Sequence, residues 1–292
     1  MRSIHDGGNL NNLYKFRRAD KYSLSALANS QLWFDSITNQ NDPFEGQFVV
    51  DVNFSEEALS HLPNLYEPDQ IQRITMIQNL QALAPVEVGR KIVNATTLAI
   101  VDTVRQGAAI CSLSASPASE EDLNPIFNSL LWGHYAEGLR GFCLVFDTEQ
   151  LVGSLHTSSG FNLKVLPIKY TNAPSSIVTN RLFDIDDMGL LQRRGLDDFF
   201  IPNILATKSL HWKSENEVRL LTISQSKLLE YNRSSLKSVV LGEKMPISER
   251  NLVVSIVKST YPDAKIQVAK IKEHSYDLEL IDSDVSHYPI EI

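Results

Sequence analysis

The period of the hydrophobic pattern changes twice along this chain, which constrains the fold more than any single motif. From about 55 to 106 apolar residues recur every three or four positions, through Leu59, Leu62, Ile71, Ile74 and Ile77 to Ile92, Val93, Val101 and Val104. That spacing puts one apolar stripe on a helix. Pro63, Pro68 and Pro85 punctuate it. Outside this block the apolar residues come in short runs. Gly141-Phe142-Cys143-Leu144-Val145-Phe146-Asp147 is the best-defined of them and reads as a buried strand. Strand-rich halves carrying a helical block predict one α+β domain over 1–292 with a split or mixed sheet and a helical insertion at about 55–106.

Taken in order, Leu13-Tyr14-Lys15-Phe16-Arg17 alternates, which predicts a strand with Lys15 and Arg17 on one face and Tyr14 and Phe16 on the other. Ser23 before Leu24 and Leu27 predicts a capped short helix, and Gln31 to Asp35 a second strand. Asn39 to Gly46 is dense in turn formers; Pro43 holds Asp42 extended and Gly46 frees the backbone, so a fixed loop is expected. Ala108 to Ser114 reads as an apolar strand ending in small hydroxyl residues. Phe127 to Gly138 reads as a helix stopped by its glycine. Leu163 to Tyr170 is a further strand, and Ile177 to Leu210 is mixed helical, with solvated charges at Asp184, Asp186, Asp187, Arg193 and Arg194. The tail predicts a strand Leu236 to Gly242, a helix Ser248 to Tyr261 and a strand Lys265 to Lys272.

A net charge of −8 over 292 residues excludes a strongly basic nucleic-acid-binding body but leaves room for a local basic groove around Lys15, Arg17, Arg18 and Lys21. Cys111 and Cys143 both lie in apolar runs, which predicts a reduced intracellular protein with neither a disulfide nor a zinc site. The polar amino-terminal stretch and the absence of a membrane-length apolar run predict a cytoplasmic protein.

The chemistry concentrates in His211-Trp212-Lys213-Ser214-Glu215-Asn216-Glu217-Val218-Arg219. If Val218 to Ile223 is a strand, alternation projects Glu215 and Glu217 the same way. Two carboxylates so close raise the pKa of one unless a cation, a metal or a ligand hydroxyl lies between them. The plainer alternative is a solvated strand end with Arg219 or Lys213 as the partner.

Together these residues resemble a widespread bacterial family of unknown function. The resemblance rests on Leu13-Tyr14-Lys15-Phe16, Asn41-Asp42-Pro43-Phe44-Glu45, Cys111-Ser112-Leu113-Ser114, Leu131-Trp132-Gly133-His134-Tyr135 and Trp212 to Leu220. The hallmarks are an N-D-P-F-E loop and a W-x-x-E-x-E-x-R strand. The layout also resembles, more distantly, the toxin-type ADP-ribosyltransferase superfamily. That likeness implies a split-sheet core, NAD as substrate, and a macromolecular acceptor, nucleic acid or protein. It further implies a toxin or phage-defence setting in which a neutralising antitoxin would be a partner.

On the pattern of that superfamily, Lys15 or Arg17 fills the first-strand position, where histidine is common. Ser112, Ser114 or Tyr135 fills the middle position, and Glu217 opens the late strand. The resemblance then casts Glu217 as the group stabilising an oxocarbenium-like state, Glu215 as the group orienting or deprotonating the acceptor, and Tyr135 as an aromatic or hydroxyl contact. Lys15 and Arg17, with Tyr14, Ser112, Ser114, Trp132, His134, Asn41 and Asp42, would bind NAD. Two other readings stay open. One is a metal-dependent nuclease in which Asp42, Glu45, Glu215 and Glu217 gather magnesium. The other is a non-catalytic binding module on the same fold.

Overall fold

The computed structural model describes residues 10–62, 83–117, 124–160, 163–185, 191–193, 200–222 and 228–282. Two compact units emerge. The first comprises Met1–Asn39, Ala108–Tyr170 and Leu210–Ile292; the second comprises Gln40–Gly107 and Thr171–Ser209.

The first unit is built on an eight-stranded sheet of β1 (Leu10–Arg17), β2 (Ala109–Pro117), β3 (Phe142–Asp147), β4 (Lys164–Pro167), β5 (Glu217–Thr222), β6 (Leu236–Gly242), β7 (Lys265–Ile271) and β8 (Leu278–Asp282). The order across it is β8-β7-β6-β3-β1-β2-β5-β4. All neighbours are antiparallel except β6 and β7. The helix Ile247–Thr260 lies between those two in the chain, since a parallel pair needs a long crossover. The expected α+β class with a mixed sheet is what the chain adopts.

Alternation along the strands divides the core in two. Leu13, Leu113, Leu144, Phe146, Leu220 and Val239 pack on one face with Leu27 of α1 (Lys21–Ala28), Leu155 of the helix Thr148–Ser158, and Val253. Tyr14, Phe16, Cys143, Val145 and Val240 pack on the other with Leu131 and Trp132 of α2 (Ser129–Tyr135). Each such large apolar side chain taken out of water contributes about 1.5–3 kcal/mol. Cys111 and Cys143 are buried free thiols in these layers. Two glycines let main chains touch. A Cβ on Gly242 would come within 2.1 Å of the Leu139 carbonyl oxygen, and one on Gly141 within 2.1 Å of that of Arg17.

Several boundaries differ from the sequence expectation. Asp20, not Ser23, caps α1, its carboxylate accepting the Ser23 N–H at 2.8 Å. The predicted 127–138 helix is shortened because the Asn128 side chain accepts the Leu130 N–H at 3.0 Å and caps a later start. Gly138 follows with φ +63°. The 163–170 segment divides into β4 and a strand Lys169–Thr171. Strand 31–35 stops at Trp33, and Asp35 forms an isolated bridge with Ile110. The β8 strand and the short strand Leu228–Glu230 had no counterpart in the sequence reading.

In the second unit, helices Glu56–His61 and Pro85–Gly107 meet closely, and a Cβ on Gly89 would fall 1.9 Å from the Leu59 carbonyl oxygen. The stretch expected between them at 63–82 lies outside the described residues. The strand Phe48–Asp51 pairs in parallel with Ser175–Val178. Among the described residues, the region 177–210, expected to be mixed helical, carries short strands at Phe183–Ile185, Leu191–Arg193 and Thr207–Ser209 beside the 3-10 turn Thr179–Arg181 and the helix Phe200–Leu205. Runs of three or four residues are too short to show a period, so pairing partners decided their state. Asp186, Asp187 and Arg194 lie outside the described residues. The 39–46 loop is a turn as expected: Asp42 accepts the Phe44 N–H at 2.9 Å, and Gly46 has φ +68°. Among the described residues no helix is long and apolar enough to cross a membrane.

Candidate functional site

The two central strands part company. Pairing between β1 and β2 runs from Leu10↔Pro117 to Tyr14↔Ser114. Beyond that point β1 stays with β3 as far as Arg17↔Phe142, and β2 stays with β5 as far as Ala109↔Thr222. Asp35 takes the place beside Ile110, with main-chain bonds of 2.9 and 2.8 Å. The ammonium of Lys15 reaches across the fork and donates to the Ser112 carbonyl.

Beside this fork three strands carry polar residues in one row. Tyr14 on β1 is in register with Ser114 on β2, and Ser114 with Glu217 on β5. Antiparallel partners share a face, so all three project the same way. The next row on β2 and β5 is Ser112 with Arg219.

Glu217 is 6% exposed, so the solvated alternative does not hold. Its carboxylate Oε1 accepts from Arg219 Nε at 2.8 Å, and Arg219 is itself 0% exposed. Its backbone N–H donates to the Tyr170 hydroxyl at 2.8 Å. Glu215 ends a short 3-10 turn, Leu210–Glu215, and is also 6% exposed. Its Oε1 accepts the Tyr135 hydroxyl at 2.6 Å. Strand alternation does not relate the two glutamates, because Asn216 between them has φ +44° and β5 begins only at Glu217. Both charges nonetheless act on the same neighbours, Lys15 and Tyr170.

Burial pulls the Lys15 ammonium below its ordinary range. Arg17 adds to that fall, while Cys111, Glu217 and Glu215 oppose it. Burial also drives the Tyr170 phenol well above its ordinary value; the two carboxylates push the same way, and the bond from the Glu217 amide pulls back. Because the folded value for Lys15 lies below the unfolded one, the unfolded chain binds more protons between the two values. Lys15 therefore favours the fold more as pH rises through that window. Removing one opposing carboxylate lowers the ammonium further. In Glu217→Gln the Lys15 side-chain NMR signal is expected to titrate at lower pH than in the parent, and an unmoved midpoint would show that the carboxylate does not reach the amine.

Helix α2 is tied to the glutamate turn in three places. Asn128 Nδ2 donates to the Ser214 carbonyl at 2.7 Å, the His134 and Trp212 rings lie 5.9 Å apart, and Tyr135 meets Glu215. His134 is exposed and Tyr135 half-buried, so both border solvent. Trp132 does not join them. At 1% exposure, with its indole N–H donating to the Ile126 carbonyl at 2.7 Å and its ring edge-on to Phe16 at 5.1 Å, it is a packing residue and not an open stacking platform. Arg17 is half-buried at the end of β1. Asn41 and Asp42 belong to the second unit. Among the described residues no group of three or more His, Cys, Asp or Glu side chains is placed to hold a metal ion.

Tyr170 and Asn128 were not among the expected site residues, and Arg219 was expected as the arginine of the W-x-x-E-x-E-x-R strand or as the partner of solvated carboxylates. Arg219 was recoverable from its two-residue offset from Glu217. Tyr170 was not, because the strand break that aims it leaves no periodic trace.

Residues 131–220, which take in most of α2, all of β3 and β4, and the glutamate turn, match the model of a protein family of unknown function, DUF2971. No curated protein and no solved structure matches the chain.

Proposed function

We propose that this chain is an ADP-ribosyltransferase-like enzyme, cleaving the nicotinamide–ribose bond of NAD and passing ADP-ribose to a macromolecular acceptor. The observation that carries this reading is the adjacency of β1, β2 and β5, which sets Tyr14, Ser114 and Glu217 in one row beside the fork that Lys15 spans. The residues suit such a substrate. Lys15 and Arg17 leave β1 on the face opposite Tyr14, and Lys15 reaches back across the fork, where its charge acts on both carboxylates. The hydroxyls of Ser112 and Ser114 and the buried carboxylate offer polar contacts to a ribose.

In the reaction the C1′–N bond breaks and its electron pair leaves with nicotinamide. Positive charge builds on the ribose, and the Glu217 carboxylate, held out of water, stabilises that charge more than bulk solvent would. The acceptor nucleophile then bonds to C1′ and gives its proton to Glu215, whose carboxylate is oriented by Tyr135. The toxin or phage-defence setting, and with it an antitoxin partner, follows from the resemblance alone.

The test is release of nicotinamide from NAD by purified protein in EDTA, with DNA, RNA or a protein extract as acceptor. Release with label transferred to one acceptor supports the reading; intact NAD in every mixture overturns it. Glu215→Gln and Tyr135→Phe separate the two halves of the reaction. Each is expected to cut acceptor modification about 10²-fold, the low end of general-base contributions, with a smaller effect on NAD hydrolysis. Equal losses in both would remove the division of labour between the glutamates.

A further inference from the structure

We infer that Arg219 is the positioning residue of this site, fixing the direction and the ionised state of the Glu217 carboxylate. The inference rests on the reading of Glu217 just given and adds a residue to it.

Three observations carry it. Arg219 follows Glu217 by two residues on β5, so both side chains leave the same face of the strand. Its guanidinium is wholly buried, and Nε donates to Glu217 Oε1 at 2.8 Å. Glu217 is held at its other end by the Tyr170 hydroxyl, which accepts its main-chain N–H. The carboxylate is therefore restrained at both the backbone and the tip.

A guanidinium stays charged at every accessible pH and presents its N–H groups in a rigid fork. Burying that charge is costly unless an anion balances it. Arg219 and Glu217 thus hold each other inside the sheet. Among the described residues, ionisable groups acting around Glu217 include Lys15 from β1, Tyr170 from the strand Lys169–Thr171 and Glu215 from the turn, the last with Tyr135 bonded to it. Glu215 carries like charge and favours protonation of Glu217. Lys15, whose ammonium donates to the Ser112 carbonyl, opposes that with its charge. Removing Arg219 takes away the bond to Glu217 Oε1 and the buried positive charge that balances the carboxylate.

Two variants test this. Arg219→Lys keeps the charge and loses the fork; Arg219→Gln loses both. With NAD, turnover is expected to fall about 10-fold in Arg219→Lys and about 10²-fold or more in Arg219→Gln, the scale of a misplaced reacting group. KM should stay near that of the parent, and the acid limb of the kcat profile should move to higher pH in both variants. A folded Arg219→Gln with the parent's kcat and pH profile overturns the inference. If Arg219→Gln fails to fold, Arg219→Lys decides alone. Should the parent itself consume no NAD, the functional reading fails, and Arg219 is then judged by carbon-13 carboxyl NMR. A Glu217 midpoint raised by about one pH unit in Arg219→Lys upholds the positioning role, on the scale of a lost charge-assisted bond, and an unmoved midpoint refutes it.

Discussion

Glu217→Gln is expected to abolish NAD turnover, lowering kcat by about 10³-fold or more, because an amide cannot balance the charge that builds on the ribose. The substitution is nearly isosteric. The new side-chain oxygen can still accept from Arg219 Nε, and the main-chain bond to Tyr170 does not involve the carboxylate. The sheet should therefore form. It should form with reduced stability, since a buried guanidinium that loses its counter-charge costs about 3–5 kcal/mol. Circular dichroism and a thermal scan separate the two effects. A folded variant with a lower Tm and no nicotinamide release is the expected result, and unchanged release would remove Glu217 from the chemistry.

The second large effect is on stability. Trp132→Ala should cost about 3–5 kcal/mol in denaturant unfolding, the range for emptying a large aromatic from a packed core. The indole is 1% exposed, edge-on to Phe16 at 5.1 Å, and bonded to the Ile126 carbonyl, so both dispersion contacts and a buried hydrogen bond are lost. Because Trp132 seats α2, and α2 carries Tyr135 to Glu215 at 2.6 Å, the site should loosen as well. A loss below about 1 kcal/mol would mean that the cavity collapses freely around the missing ring.

What could be read from the sequence, and what could not, follows from where each residue's constraint comes from. The strand Phe142–Asp147 was legible because five successive buried residues leave a continuous apolar run. The strand expected from Val218 was legible in its apolar run, and it opens one residue earlier, at Glu217. The strand alternation expected to relate Glu215 to Glu217 is absent: Asn216 turns left-handed, and Glu215 ends a short 3-10 segment outside the strand. Tyr170, Asn128 and the fork between β1 and β2 depend on partners far along the chain, to which local periodicity is blind. Trp132 misled because its neighbours His134 and Tyr135 do face the site while its own position on the helix turns inward.

The parting of β1 from β2 has a cost that shapes the rest of the molecule. The interior of a sheet is ordinarily where peptide groups are best shielded and the chain least yielding. Here the ladder between β1 and β2 ends at Tyr14↔Ser114, while the ladders joining β3 to β1 and to β6 continue past the fork. The buried glutamate of β5 therefore stands in register with the last paired residue of β2, where the ladder to β1 runs out.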